Sequence, residues 1–209
     1  MSVLNNLKWR YATKQMNGKK VPAEKLEKIL EAIQLAPTSI GLQPFTVLVI
    51  GDAEIRAKIA PAIYNQQQIT QGSHVLVFAA WKEFSPENVD KYLNQIATVR
   101  GIPVESLDGM KQMITGSLAG KNAEQLLNWN SRQAYIALGT GLVAAAEEEV
   151  DATPMEGFDP DALDAALGLS EKGLRSTVIL TLGYRDAEKD YLSKAVKVRR
   201  KKEELFILV

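Results

Sequence analysis

From Val21 to Ala36, apolar residues recur at Leu26, Ile29, Leu30 and Ile33, the i, i+3, i+4, i+7 spacing of a helix with one buried face. Pro22 stands near its first position, where a missing N–H is no loss. The run Phe45–Ile50 is short, β-branched and followed by Gly51-Asp52, which predicts a buried strand. A helix is expected over 53–64 and a second core strand over 74–81. Residues 86–119 carry a looser helical pattern, interrupted by Gly101 and Pro103. A long helix follows over 121–148, with Leu126, Leu127, Tyr135, Leu138 and Leu142 on its apolar side and an alanine-rich end suited to close packing. Asp159-Pro160 reads as an N-cap followed by proline, opening a short helix through Leu167. A third strand is predicted over 176–184, and the terminal "LFILV" (205–209) reads as a fourth.

These strands are scattered among helices without a regular β-α-β alternation, which favours an α+β domain over a doubly wound one. A chain of 209 residues fits one domain, 1–209, able to hide roughly 70% of its unfolded surface. No internal repeat and no low-complexity linker divides it. No Gly-x-Gly-x-x-Gly follows the first strand. "LGTGLVAAAEE" holds two glycines, but within a helical pattern, so a dinucleotide fingerprint is not supported.

Composition narrows the chemistry. The chain has no cysteine, which excludes disulfides, thiolate metal sites and thiol nucleophiles. His74 is the only histidine, so neither a zinc site built on imidazoles nor a Ser-His relay is expected, and no metal is assigned. The N-terminal stretch lacks the apolar centre of a signal peptide, and the longest apolar-small run, Ala134–Ala146, is short of the roughly 20 residues of a membrane span. A cytoplasmic protein without a membrane partner is the expectation. Lys plus Arg equals Asp plus Glu, 25 against 25, but the basic residues gather at both ends. Aromatics are not interleaved with them, which argues against nucleic acid.

Several groups carry candidate chemistry. Arg10 and Lys14 are four apart and face one way on a short helix or turn. Lys197 and Arg199 share a side of an extended tail. Cations converging from both ends suit a phosphate monoester; on charge alone, two solvated tails fit as well. "NQQQ" (Asn65–Gln68) offers donors and acceptors that match the edge of a pyrimidine-like ring, or simply ends a helix. Glu156 sits at the tip of a Pro/Gly-bounded loop, "DATPMEGFD" (151–159), as an acid–base group or a solvated carboxylate. His74 reads as structural. The loop "LAPTSIGLQPF" (35–45) is rich in small and hydroxyl residues, more than a simple corner requires.

The order of these groups is more specific than any one of them. "RYATK", "APTSIGLQP", "NQQQI", "TPMEGFD" and "KVR" follow one another in a way that resembles the FMN-dependent nitroreductase family, nearest its oxygen-insensitive NAD(P)H nitroreductase and dihydropteridine reductase branch. The resemblance spans nearly the whole chain and is weakest over 85–120. It implies an α+β fold with a mainly antiparallel central sheet flanked by helices, and a homodimer with exchanged C-terminal segments and flavin sites between subunits.

It further implies FMN as cofactor, NADH or NADPH as reductant, and ping-pong hydride transfer through flavin N5 to nitroaromatic or quinone acceptors. Quinone, flavin, pteridine or enone reduction on the same scaffold, or flavin binding without significant turnover, are the alternatives. By position, Arg10, Tyr11, Ala12 and Lys14 with Lys197 and Arg199 fall on the family's ribityl-phosphate contacts. Pro37, Thr38, Ser39 and Gly41 fall on the loop lent by the other subunit. Asn65 and Gln68 fall on the pyrimidine edge, and Pro154, Met155, Glu156 and Gly157 on the segment against the ring. There the Glu156 backbone N–H is the implied donor to N5, and no catalytic side chain is required. Two departures stand out: Ala12 replaces a serine, and Gln68 replaces the lysine of some relatives. Residues 85–120 fall on the variable substrate-channel region.

Overall fold

The computed structural model describes residues 2–209. Four strands, β1 (Phe45–Ile50), β2 (His74–Trp81), β3 (Asp151–Met155) and β4 (Leu174–Gly183), form one antiparallel sheet in the order β1-β2-β4-β3. β2 and β4 take the centre because they are apolar on both faces. Alternate residues serve opposite layers. Leu76, Phe78, Val178, Leu180 and Leu182 pack with α2 (Ala23–Gln34) and a long helix at Ala123–Glu147. Val75, Val77 and Ile179 pack with α3 (Ala53–Ile59) and a short helix at Pro160–Leu167.

The remaining helices are α1 (Val3–Trp9), α4 (Gln67–Gln71), α5 (Pro86–Arg100), α6 (Asp108–Ala119) and the single turn α9 (Lys202–Leu205). The long helix is α7 and the short one α8. Ile33 of α2 seats directly on Gly141 of α7, where an added Cβ meets it at 2.8 Å. α5 and α6 leave the sheet and enclose a small core of their own with Leu42, built on Val89, Leu93, Ile96, Leu107 and Ile114. Gly101, with φ +63°, ends α5, and Pro103 caps the 3-10 turn that leads to α6, which accounts for the interrupted pattern there. No helix among the described residues is long and apolar enough to cross a membrane.

The α+β class and the antiparallel sheet agree with the sequence expectation, and three local readings are corrected. Residues 151–155 form edge strand β3 rather than a loop. Pro154 hides the pattern, yet an edge strand tolerates its missing N–H. "LFILV" is not a strand of this sheet: α9 ends at Leu205, and Phe206–Val209 are exposed without regular structure. The stretch around Arg10 is not helical. α1, unmarked by any strong pattern, ends at Trp9, and Arg10 is already extended at φ −68°, ψ 141°.

Candidate active site

Trp9 ends α1 and Tyr11 follows the extended Arg10; the two rings flank Arg10 in the chain and reach a common target, the guanidinium of Arg185. Its carbon lies 4.3 Å from the Trp9 ring centre and 4.5 Å from that of Tyr11. In its own plane Arg185 donates to the Asp151 carboxylate, from Nε at 2.9 and 3.0 Å and from Nη2 at 2.5 Å. Asp151 also accepts from the Arg185 backbone N–H at 2.7 Å and from the Thr13 hydroxyl at 3.2 Å. A buried carboxylate is tolerated here because each lone pair is used.

A second buried acid, Asp190, fixes the rest of the segment. It accepts from the Lys14 N–H at 2.7 Å, the Gln15 N–H at 3.3 Å, the Tyr11 hydroxyl at 3.2 Å and the Leu192 N–H at 2.9 Å. Burial, aided by Asp190 and opposed by Arg185, pushes the Tyr11 hydroxyl up to about 12.

This frame forms one wall of a cavity of about 480 Å³. Arg10, Tyr11, Ala12, Pro154, Lys197 and Arg199 line it, with Lys8 and Arg185 adding charge. No acidic side chain among the described residues lines it. Lys197 donates to the carbonyls of Leu7 and Arg10, drawing the C-terminal tail onto the end of α1. Burial, then the charges of Arg10 and Arg199, lowers the Lys197 pKa; burial, then Arg199, lowers that of Arg10. Arg10 donates to the Ala152 carbonyl at 3.3 Å, and its buried Nε has no partner. Crowded cations with an unsatisfied donor and no lining acid have the chemistry of a candidate anion cradle.

At the far end of β3, Pro154 also lines a second cavity of about 410 Å³, with Tyr135, Leu138, Met155, Glu156 and Val178. The Glu156 carboxylate accepts from the Tyr135 hydroxyl at 2.6 Å. Gln66 Nε2 donates to the Gly157 carbonyl at 2.7 Å, tying the amide cluster to this loop. Gln68 is buried and donates to the Thr13 carbonyl at 3.2 Å, which Thr153 also uses. Asn65 is exposed and left-handed at φ 52°.

The first cavity thus gathers Arg10, Tyr11, Ala12, Pro154, Lys197 and Arg199, and Gln68 and Glu156 reach its neighbourhood through Thr13 and β3. Lys14 contributes its backbone to Asp190 and does not line the cavity, because the stretch is extended rather than helical. Pro37, Thr38, Ser39 and Gly41 line neither cavity. They lie against α5 and α7, with the Ser39 N–H donating to Gln133 Oε1 at 2.8 Å and the Thr38 hydroxyl accepting from the Gln43 N–H at 3.1 Å. Gln43 Nε2 also holds the Gln34 carbonyl at 2.7 Å. Arg185, Asp151, Asp190 and Tyr135 had no signal in the sequence beyond being charged or aromatic.

The Nitroreductase family model matches residues 7–184, and the chain belongs to that family. It is 28% identical over 206 residues to the oxygen-insensitive NAD(P)H nitroreductase of Salmonella typhimurium, covering 90% of this chain and 91% of that one. It is 29% identical over 219 residues to the major NAD(P)H-flavin oxidoreductase of Aliivibrio fischeri, covering 99% and 98%. A protein of Exiguobacterium sibiricum, solved in complex with FMN, superposes with a TM-score of 0.84 at 22% identity, covering 100% and 98%.

Proposed function

We propose that this chain is an FMN-dependent oxidoreductase that takes hydride from NADH or NADPH and delivers it to nitroaromatic or quinone acceptors. The observation that carries the reading is the anion cradle, where Arg10, Lys197 and Arg199 converge without a lining acid and Arg10 Nε lacks a partner. That donor set fits the phosphate monoester of FMN. The names of the Salmonella typhimurium and Aliivibrio fischeri relatives, and the FMN of the Exiguobacterium sibiricum complex, support the same cofactor and reductant.

When bound, FMN supplies the redox chemistry, accepting hydride from the nicotinamide and returning it to the acceptor. The chain supplies position. Arg10, Lys197 and Arg199 hold the phosphate, with Tyr11, Ala12 and Lys14 shaping the backbone beside it. Asn65 and Gln68 serve the pyrimidine edge, and Pro154, Met155, Glu156 and Gly157 lie along the ring. The Glu156 carboxylate is already engaged by Tyr135, which suits a role for its backbone N–H rather than for side-chain proton transfer. Reductant and acceptor use one place in turn, which is a ping-pong scheme.

Pro37, Thr38, Ser39 and Gly41 complete the site of a second copy, in a homodimer with an exchanged C-terminal segment. The exposed Leu4 and Leu7 of α1 and the apolar tail Phe206–Val209 support that assembly, since free apolar surface invites association. The chain acts as a single domain in which 85–120 forms the substrate channel. Steady-state turnover with NADH and NADPH across nitroaromatic, quinone and free-flavin acceptors tests the reading. Parallel double-reciprocal lines are expected; intersecting lines contradict the ping-pong scheme.

A further inference from the structure

Arg185 stands one residue past the segment matched by the family model. Its guanidinium is gripped on three sides, by Trp9 and Tyr11 on its faces and by Asp151 along its edge. The two rings belong to the neighbours of Arg10 on either side. Trp9 is the last residue of α1 and Tyr11 follows the extended Arg10, so holding both rings on Arg185 holds the backbone on either side of Arg10. Strand β3 is held twice by this arrangement, at Asp151 by Arg185 and at the Ala152 carbonyl by Arg10 at 3.3 Å.

We propose that Arg185 is a positioning residue of the anion cradle: clamped between Trp9 and Tyr11 and locked by Asp151, it aims the Arg10 guanidinium at the phosphate of the bound flavin. The proposal rests on the functional reading above. It gives Arg185 a task that charge alone does not perform. A lysine keeps the positive charge and an ion pair with Asp151, but it has no planar face to fill the space between two rings and no fork for the carboxylate. Asp190 completes the frame by holding the Tyr11 hydroxyl, so the ring against Arg185 is anchored at its far end as well.

The test compares FMN with riboflavin, which lacks the phosphate, binding to the flavin-stripped full-length protein, read by flavin fluorescence. Arg185→Lys is expected to raise the FMN dissociation constant about tenfold or more while the riboflavin constant changes by less than about threefold, because only the phosphate contact is misaligned. Equal weakening of both flavins reports a merely structural role and overturns the proposal, as does an unchanged FMN-to-riboflavin ratio. Should Arg185→Lys fail to fold, Trp9→Leu removes one face of the clamp and leaves the Asp151 pair in place. The FMN-to-riboflavin ratio of dissociation constants is expected to rise about threefold there, and no change overturns the proposal. A wild-type protein that binds FMN no better than riboflavin overturns the phosphate reading itself, an outcome distinct from failure of the Arg185 variants.

Discussion

The Tyr92 hydroxyl donates to the Ile40 carbonyl at 2.5 Å, fastening α5 to the loop between α2 and β1. Ile40 is β-branched and yet left-handed at φ +60°, a conformation that persists only when its surroundings impose it. Gly41 follows at φ +78°, and a Cβ there meets the Tyr92 hydroxyl at 2.6 Å. Gly41→Ala is expected to destabilise the protein by about 1–3 kcal/mol in urea unfolding, through backbone strain and the collision together. Adding Tyr92→Phe removes the colliding oxygen. The double variant is expected to be more stable than the sum of the single effects allows.

Removing a cradle cation without a compensating group is expected to weaken FMN by about tenfold to a hundredfold, the range of a charge-assisted hydrogen bond. Lys197→Ala also releases the tail from the carbonyls of Leu7 and Arg10, so its effect is expected to exceed that of Arg199→Ala. Flavin titrations at two salt concentrations check this. The variants are expected to lose part of the wild-type salt dependence.

The central strands and long helices were legible because their patterns are local. β2 reads as a continuous apolar run, and α2 repeats its apolar residues every three or four positions. β3 was not legible, since "DATPM" carries a proline and its pairing with β4 spans more than twenty residues of intervening chain. α1 escaped notice because its apolar residues Val3, Leu4 and Leu7 are exposed and bury no stripe. The same limit applies to the site. Arg10, Lys197 and Arg199 were recognisable by motif, but nothing in one sequence says that Asp151 meets Arg185 or that Asp190 gathers Tyr11, Lys14 and Gln15. The helical spacing assigned to Arg10 and Lys14 failed because the chain leaves the helix at Trp9.

Glu156 and Tyr135 are expected to influence geometry more than proton transfer. Burial, then the bond to Glu156, raises the Tyr135 pKa well above that of an ordinary tyrosine, so its hydroxyl stays protonated across neutral pH. Tyr135→Phe and Glu156→Gln are each expected to retain turnover within about tenfold, less than the loss typical of an essential general acid or base. Neither variant is expected to remove a limb of the pH–rate profile between about pH 6 and about pH 9. A lost limb in either one assigns a proton-transfer role to that pair.

His74 gives the fold a pH dependence of defined sign. Burial, then Lys20 and Arg56, lowers its pKa below 6.5, favouring the neutral ring in the folded state. Its Nδ1 lies 2.8 Å from the Ser73 hydroxyl, which accepts from the Val21 N–H. A depressed folded pKa means that the unfolded chain binds the proton first. The contribution to stability is therefore complete above about pH 6.5 and is lost as pH falls through the lowered folded value. In His74→Gln, the fall in melting temperature from about pH 7.5 to about pH 5.5 is expected to be smaller than in the wild type.

The central claim, a flavin held at the anion cradle and reduced there by a nicotinamide, is tested most directly on the purified full-length protein. Its bound flavin is identified after denaturation, and the native protein is then titrated anaerobically with NADH and NADPH. The account expects bound FMN that bleaches with either or both reductants and regains its colour on adding a nitroaromatic or a quinone. A protein that neither carries nor takes up FMN, or whose bound FMN stays oxidised under both nicotinamides, contradicts it.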